Sequence, residues 1–242
     1  MKLVVGNQKA YLNRDQVIDF IEKTKNGNCS NAIIGPSFIY IDLYLERSKY
    51  ILCAQNVSCK GNTTTTGEVS AEQLNSVGVA YTIVGHSERR LDQHETSDMF
   101  CQKINNLVNN NIIPIFCVGE NHEEKERNVS KDVVAREILE VFEKLDVDVI
   151  EKVIIAYEPI WSISNGITPS KIPSNDEIES IVNYIKDLVQ EKYGKRLAVL
   201  YGGSVNKSNV DTLNEIEVVD GYLIGGASVK PDDFLYIMSK CE

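Results

Sequence analysis

Short runs rich in valine, isoleucine and leucine punctuate the chain at residues 3–5, 32–34, 51–54, 81–84, 112–118, 153–156, 197–200 and 218–224. Each is continuously apolar rather than alternating, which marks strands buried on both faces, as in parallel sheets. Between them the apolar positions fall at helical spacing. The clearest case opens with the capping box Ser174-Asn-Asp-Glu177, runs through Ile178, Ile181, Val182, Ile185, Leu188 and Val189, and stops at Gly194. A second capping box, Ser70-Ala-Glu-Gln73, opens a shorter helix, and amphipathic stretches cover 15–24, 96–108, 131–144 and 207–214. Eight strand-like runs, each followed by helix, predict a (βα)8 barrel, an α/β fold whose usual size of about 250 residues matches one domain over residues 1–242. A doubly wound sheet would carry fewer strands and a glycine-rich dinucleotide turn after the first. Neither that turn nor a P-loop is present in the sequence.

Composition narrows the functional classes. Apolar residues make up 43% and charged residues 25% of the 242, with 15 glycines and 6 prolines, which is ordinary for a globular chain. Lys plus Arg is 25 and Asp plus Glu is 35, giving a net charge of −10 with no basic block. That balance argues against a general nucleic-acid or anionic-membrane binder. The longest apolar stretch, 112–118, contains Pro114 and is far shorter than the roughly 20 residues of a transmembrane helix. The apolar start is cut off at Asn7-Gln8-Lys9, too early for a secretory signal, so a cytoplasmic protein is expected. The 6 cysteines form no C-x-x-C pair and the 3 histidines supply no zinc spacing, so free buried thiols and no metal are expected.

In such a barrel, chemistry sits at the C-terminal ends of the strands. Strand one ends in Gly6-Asn7-Gln8-Lys9, strand four in Gly85-His86-Ser87-Glu88, strand five in Gly119-Glu120 and strand six in Tyr157-Glu158-Pro159. Strands seven and eight end in Gly202-Gly203-Ser204 and Gly225-Gly226. Taken singly, Glu158 reads as a solvated strand-end carboxylate, His86 as a core histidine and Lys9 as a surface charge. Their convergence on one mouth changes the reading, because a carboxylate, an imidazole and an ammonium together can move a proton and stabilise the charge it leaves. Lacking Cβ atoms, the two glycine pairs let backbone N–H groups approach an anion. They fall after strands seven and eight, where barrels often hold phosphate.

The segments Val84-Gly-His-Ser-Glu-Arg-Arg90, Ala156-Tyr-Glu-Pro-Ile-Trp161, Tyr201-Gly-Gly-Ser-Val205 and Gly6-Asn-Gln-Lys9 resemble the signatures of the triosephosphate isomerase family. Ala54-Gln-Asn56, Thr66-Gly-Glu68, Cys117-Val-Gly-Glu120 and Ile224-Gly-Gly226 match as well, in the same order, so the resemblance spans essentially the whole chain. It implies the TIM barrel and a cofactor-free isomerisation of a phosphorylated sugar through an enediolate. On this resemblance Glu158 is the base and His86 the neutral imidazole that donates to the developing oxyanion. Lys9 offsets the oxyanion's charge and Asn7 helps to hold it. Backbone N–H groups of Ser164, Ser204, Gly225 and Gly226 grip the phosphate. Cys117 resembles a residue beside the base, Glu95 a structural acid behind the mouth, and residues 159–169, with Trp161 as anchor, a mobile lid.

The chain departs from the family pattern in two places. The lid usually reads Ile-Gly-Thr-Gly-Lys, whereas here it reads Ile163-Ser-Asn-Gly-Ile167, which predicts altered lid kinetics or phosphate affinity. The first loop usually carries Trp and Met around the lysine, whereas here Gln8 and Ala10 stand there, toward the family's subunit contact. The resemblance also implies a homodimer in which the loop at 60–67 inserts into the second copy, with Thr66 reaching its Asn7 and Glu88. Two other readings compete: an isomerase of a four-carbon sugar phosphate, and a catalytically silent barrel serving as a scaffold.

Overall fold

The structure, a computed structural model, describes residues 1–27, 30–163 and 172–242. Its first half comprises β1 (Leu3–Asn7), α1 (Arg14–Thr24), β2 (Ala32–Gly35), α2 (Ile41–Arg47), β3 (Ile51–Ala54), α3 (Ala71–Ser76), β4 (Tyr81–Val84), α4 (Ser87–Asp92) and α5 (Ser97–Asn109). The second half comprises β5 (Ile113–Val118), α6 (His122–Glu126), α7 (Ser130–Phe142), α8 (Val147–Ile150), β6 (Ile154–Tyr157), α9 (Asn175–Tyr193), β7 (Val199–Tyr201), α10 (Val210–Asn214), β8 (Gly221–Ile224) and α11 (Pro231–Lys240). Each strand pairs in parallel with the next, and β8 closes on β1 with Leu223 opposite Val5. The expected (βα)8 barrel is therefore the fold.

Strand side chains alternate between two buried faces. Val5, Ile33, Cys53, Ile83, Ile115, Ala156, Leu200 and Leu223, one from each strand, pack together in the barrel's interior. Their strand neighbours Val4, Ile34, Val84, Phe116, Ile155 and Tyr222 face outward against the helices, where Phe20, Phe100, Phe142 and Phe234 complete a second apolar layer. This double burial is the cause of the continuous apolar runs in the sequence.

Both capping boxes form, and Gly194 ends α9 in the left-handed conformation at φ 68°. Strand limits shift where hydrophobicity and pairing part company. The run at 197–200 yields a strand only from Val199 and that at 218–224 only from Gly221, although Leu197 and Val219 are buried. These residues pack below the barrel before the ladder begins, so burial alone does not mark pairing. Gly221 marks a close approach: a Cβ there would stand 2.3 Å from the Leu3 carbonyl oxygen.

The stretch at 207–214 is helical only over Val210–Asn214. The cysteine expectation needs correction: Cys53, Cys117 and Cys241 are buried, but Cys59 and Cys101 are only half-buried, and all five are free. Cys29 lies outside the described residues. Among the described residues no helix is long and apolar enough to cross a membrane, and no His, Cys, Asp and Glu cluster is arranged to hold a metal.

Candidate active site

Glu158 follows the last residue of β6, and its N–H still reaches the Val118 carbonyl at 2.8 Å, so the ladder fixes its backbone. The residue is only 2% exposed. Its Oε1 lies 3.2 Å from His86 Nε2, and its Oε2 accepts the Ser87 N–H at 3.4 Å. Two glycines make room for it. A Cβ on Gly119 would lie 1.9 Å from the Glu158 carbonyl oxygen, and one on Gly202 would lie 2.7 Å from its Cγ. Gly203 is equally confined, with a Cβ position 2.2 Å from the Tyr201 hydroxyl.

The two glycine pairs therefore differ. Gly202 and Gly203 owe their missing side chains to the protein's own packing. Gly225 and Gly226 face open space, since a Cβ on Gly226 would meet nothing within 4 Å and one on Gly225 only Lys9 Cε at 3.7 Å. A four-residue 3-10 turn, Gly226–Val229, starts at this point.

His86 caps α4. Its Nδ1 accepts the Glu88 N–H at 3.3 Å, which leaves the ring proton on Nε2, aimed at Glu158. Lys9 takes a left-handed backbone, φ 47°, uncommon for a side chain of this size. Several bonds hold it there: its N–H donates to Asn7 Oδ1 at 3.1 Å, and its carbonyl accepts from Ser37 Oγ at 3.0 Å and Gln55 Nε2 at 2.9 Å. Its ammonium pairs with Glu88 at 2.5 Å.

A cavity of about 200 Å³ joins these groups, lined by Asn7, Lys9, His86 and Glu158 together with Ser204, Gly225 and Gly226. Of the residues expected at the site, Ser164 lies outside the described residues, as do Asn165 and Ile167 of the unusual lid. Lys230 and Asp233 also line the cavity, Asp233 being paired with Lys207 at 2.9 Å; neither was singled out from the sequence.

Behind the base lies a second set of contacts, in which Cys117, Glu95 and Trp161 were expected and Arg90 and Glu120 had been given no role. Burial and the neighbouring Glu158 carboxylate push the Cys117 thiol well above its ordinary range. Arg90 donates to the carbonyls of Gly85 and Cys117, both at 2.8 Å, and stacks on Phe100 with 4.5 Å to the ring centre. Glu120, fully buried, accepts from Trp161 Nε1 at 2.8 Å and from the Tyr157 hydroxyl at 3.2 Å, fastening the segment after β6. Glu95 binds Arg89 and the buried Lys103, each at 2.6 Å. Gln8, expected toward a subunit contact, is instead interior at 2% exposure, whereas Ala10 is exposed.

The sequence profile of the triosephosphate isomerase family matches residues 2–241. The chain belongs to the triosephosphate isomerase family. The triosephosphate isomerase of Mycoplasmopsis pulmonis is 36% identical across 98% of this chain and 96% of its own length. That of Porphyromonas gingivalis is 40% identical across 91% of this chain and 89% of its own, and that of Alkaliphilus oremlandii is 40% identical across 78% and 76%. Five of the triosephosphate isomerase signatures quoted from the sequence, those at 6–9, 84–90, 156–161, 201–205 and 224–226, thus contribute to one cavity at the barrel mouth.

Proposed function

We propose that this cavity interconverts dihydroxyacetone phosphate and D-glyceraldehyde 3-phosphate, with Glu158 as base and His86 as hydrogen-bond donor. The carrying observation is the meeting of a buried carboxylate and an Nε2–H imidazole at 3.2 Å, beside the Lys9 ammonium and open glycine amides. When the ketose enters, the Glu158 carboxylate turns from His86 and Ser87 toward the carbon beside the carbonyl and removes one proton. The carbonyl oxygen takes up the negative charge and accepts from His86 Nε2–H, while Lys9 leaves Glu88 to offset that charge and Asn7 donates its amide. His86 gives its Nε2 proton to that oxygen and takes up the proton of the adjacent hydroxyl, Glu158 returns the abstracted proton to the former carbonyl carbon, and the double bond re-forms as an aldehyde. Atoms and electrons balance within the substrate, so the reading requires no cofactor. The phosphate rests on backbone N–H groups of Ser164, Ser204, Gly225 and Gly226. Closure of residues 159–169 excludes water and strengthens these interactions.

The chain acts as one domain of residues 1–242, in the cytoplasm, and as a homodimer. Support for a second copy comes from the rim: a further cavity of about 380 Å³, lined by Asn7, Phe38, Gln55, Asn56 and Glu88, opens beside the site. Ile39 at 79% and Leu91 at 61% exposure belong to the same segments. The loop at 60–67 of another copy fits there, with its exposed Thr66 reaching Asn7 and Glu88. Sedimentation at micromolar concentration checks this, and a monomer would refute it.

The deciding experiment is steady-state isomerisation of the two triose phosphates by the purified chain with no addition, beside a four-carbon ketose phosphate. Turnover of the triose pair is expected, with the four-carbon compound at least about a hundredfold poorer in kcat/KM. Preference for the larger sugar would favour the four-carbon reading, which the relatives do not favour, and no turnover at all would favour the silent barrel.

A further inference from the structure

Three buried polar side chains connect strand β1 to the turn after β8. Tyr44 of α2 donates its hydroxyl to Gln8 Oε1 at 2.8 Å, and Gln8 Nε2 donates to the Ser228 carbonyl at 3.3 Å. Ser228 then binds back to Gly225, whose carbonyl accepts both the Ser228 N–H at 2.8 Å and its Oγ at 2.6 Å. Tyr44 and Ser228 are fully buried and Gln8 nearly so. The Gln8 backbone is also committed, its N–H to Gly35 at 3.0 Å and its carbonyl to Tyr11 at 3.3 Å. This amide cannot rotate without leaving a buried donor or acceptor unpaired, so the chain of bonds defines an orientation where an apolar side chain would only fill space.

Position decides what that orientation controls. Gln8 stands between Asn7 and Lys9, which line the cavity and which the proposed reaction sets against the substrate carbonyl. Its side chain ends on Ser228, in the turn that begins with Gly226 and is anchored on Gly225, the glycines proposed to hold the phosphate. We propose that Gln8 is a positioning residue that sets the phosphate-binding turn in register with Lys9. This rests on the reading of Gly225 and Gly226 as the phosphate end. Gln8 touches no reacting atom and acts through the Gly225–Val229 backbone, with Tyr44 fixing which way its amide points.

Gln8→Glu is the sharpest test, because it keeps the shape and the acceptor for Tyr44 but replaces the donor to Ser228 with an oxygen. Competitive inhibition by inorganic phosphate and KM for dihydroxyacetone phosphate are measured beside kcat. Loss of this buried hydrogen bond is expected to raise the phosphate inhibition constant and KM about fivefold to tenfold, with kcat within about threefold of the parent. Lowering the pH should shrink the deficit relative to the parent at the same pH, since a protonated carboxyl donates to the Ser228 carbonyl again. Gln8→Met, of similar volume, should show the same loss without the pH recovery. Tyr44→Phe, which leaves the Ser228 bond in place, should give only about a twofold effect. Phosphate and KM values unchanged in Gln8→Glu and Tyr44→Phe, with only a lower Tm, would overturn the proposal. A parent chain that binds phosphate but turns over neither triose would strike the proposed reaction instead, and the phosphate arm would still decide the role of Gln8.

Discussion

His86 Nε2 lies 3.2 Å from Glu158 Oε1, while the Nδ1 of the same ring accepts the Glu88 amide at 3.3 Å. The start of α4 thereby fixes the tautomer, and the tautomer fixes which atom can donate into the cavity. One ring nitrogen is tied to the scaffold and the other faces Glu158 and the cavity. This division lets a neutral imidazole donate a hydrogen bond without first taking up a proton.

Glu158→Gln keeps the side chain's shape and removes the base. Loss of general-base catalysis predicts a fall in kcat of about 10³-fold, with phosphate inhibition within about twofold of the parent. A coupled assay and phosphate titration of the same preparation check both halves. Retained turnover would mean that another group takes the proton.

Gly202→Ala and Gly226→Ala separate the two glycine pairs. The first places a methyl 2.7 Å from Glu158 Cγ, so the base must move and kcat should fall about 10²-fold, the cost of a displacement near 1 Å. The second points a methyl into open space, so its Tm should stay within about 2 °C of the parent. Melting curves and steady-state kinetics on the two variants check the contrast.

Trp161→Phe removes the indole donor to Glu120 at 2.8 Å and leaves that fully buried carboxylate with the Tyr157 hydroxyl. An under-bonded buried acceptor predicts a loss of about 1–3 kcal/mol. Urea unfolding followed by far-ultraviolet circular dichroism measures it, since Trp161 is the chain's one tryptophan and fluorescence goes with it. A midpoint equal to the parent's would deny the anchoring role.

Alkaline pH should destabilise the fold through its interior thiols. Burial raises Cys53, and burial with the Glu158 carboxylate raises Cys117, above the ordinary thiol value of 9.0. The native state then keeps protons that the unfolded chain releases, so stability is flat below about pH 8 and falls as pH climbs past 9. The slope is about 1.4 kcal/mol per pH unit for each such thiol. Urea midpoints from pH 8 to 10.5 measure it, and Cys117→Ala should make the slope shallower by one thiol's share.

The barrel was legible because a parallel strand covered on both sides must be apolar at consecutive positions, and eight such runs separated by helical spacing leave few alternatives. Strand limits were less so: Leu197 and Val219 are buried without pairing there, and hydrophobicity reports burial, not hydrogen bonding. His86, Glu158, Lys9 and Asn7 were found because strand ends share one mouth, whatever their distance along the chain. The roles of Gly202, Glu120, Arg90 and Gln8 were not visible. A glycine looks the same whether it faces a ligand or a neighbour's Cγ, and a glutamine just past an apolar strand does not show which distant tyrosine and carbonyl will meet it.

The sequence alone determined the parallel barrel, the caps of its longest helix and the chemical types gathered at one end, because these follow from local periodicity and from the order of segments. Only the tertiary structure decided which ring nitrogen of His86 faces Glu158, which glycine pair stays open, and that Gln8 is interior and joins the segment after β1 to the turn at Gly225. Those outcomes depend on angles and distances between segments brought together by closure of the sheet, and no pattern within a single segment encodes them.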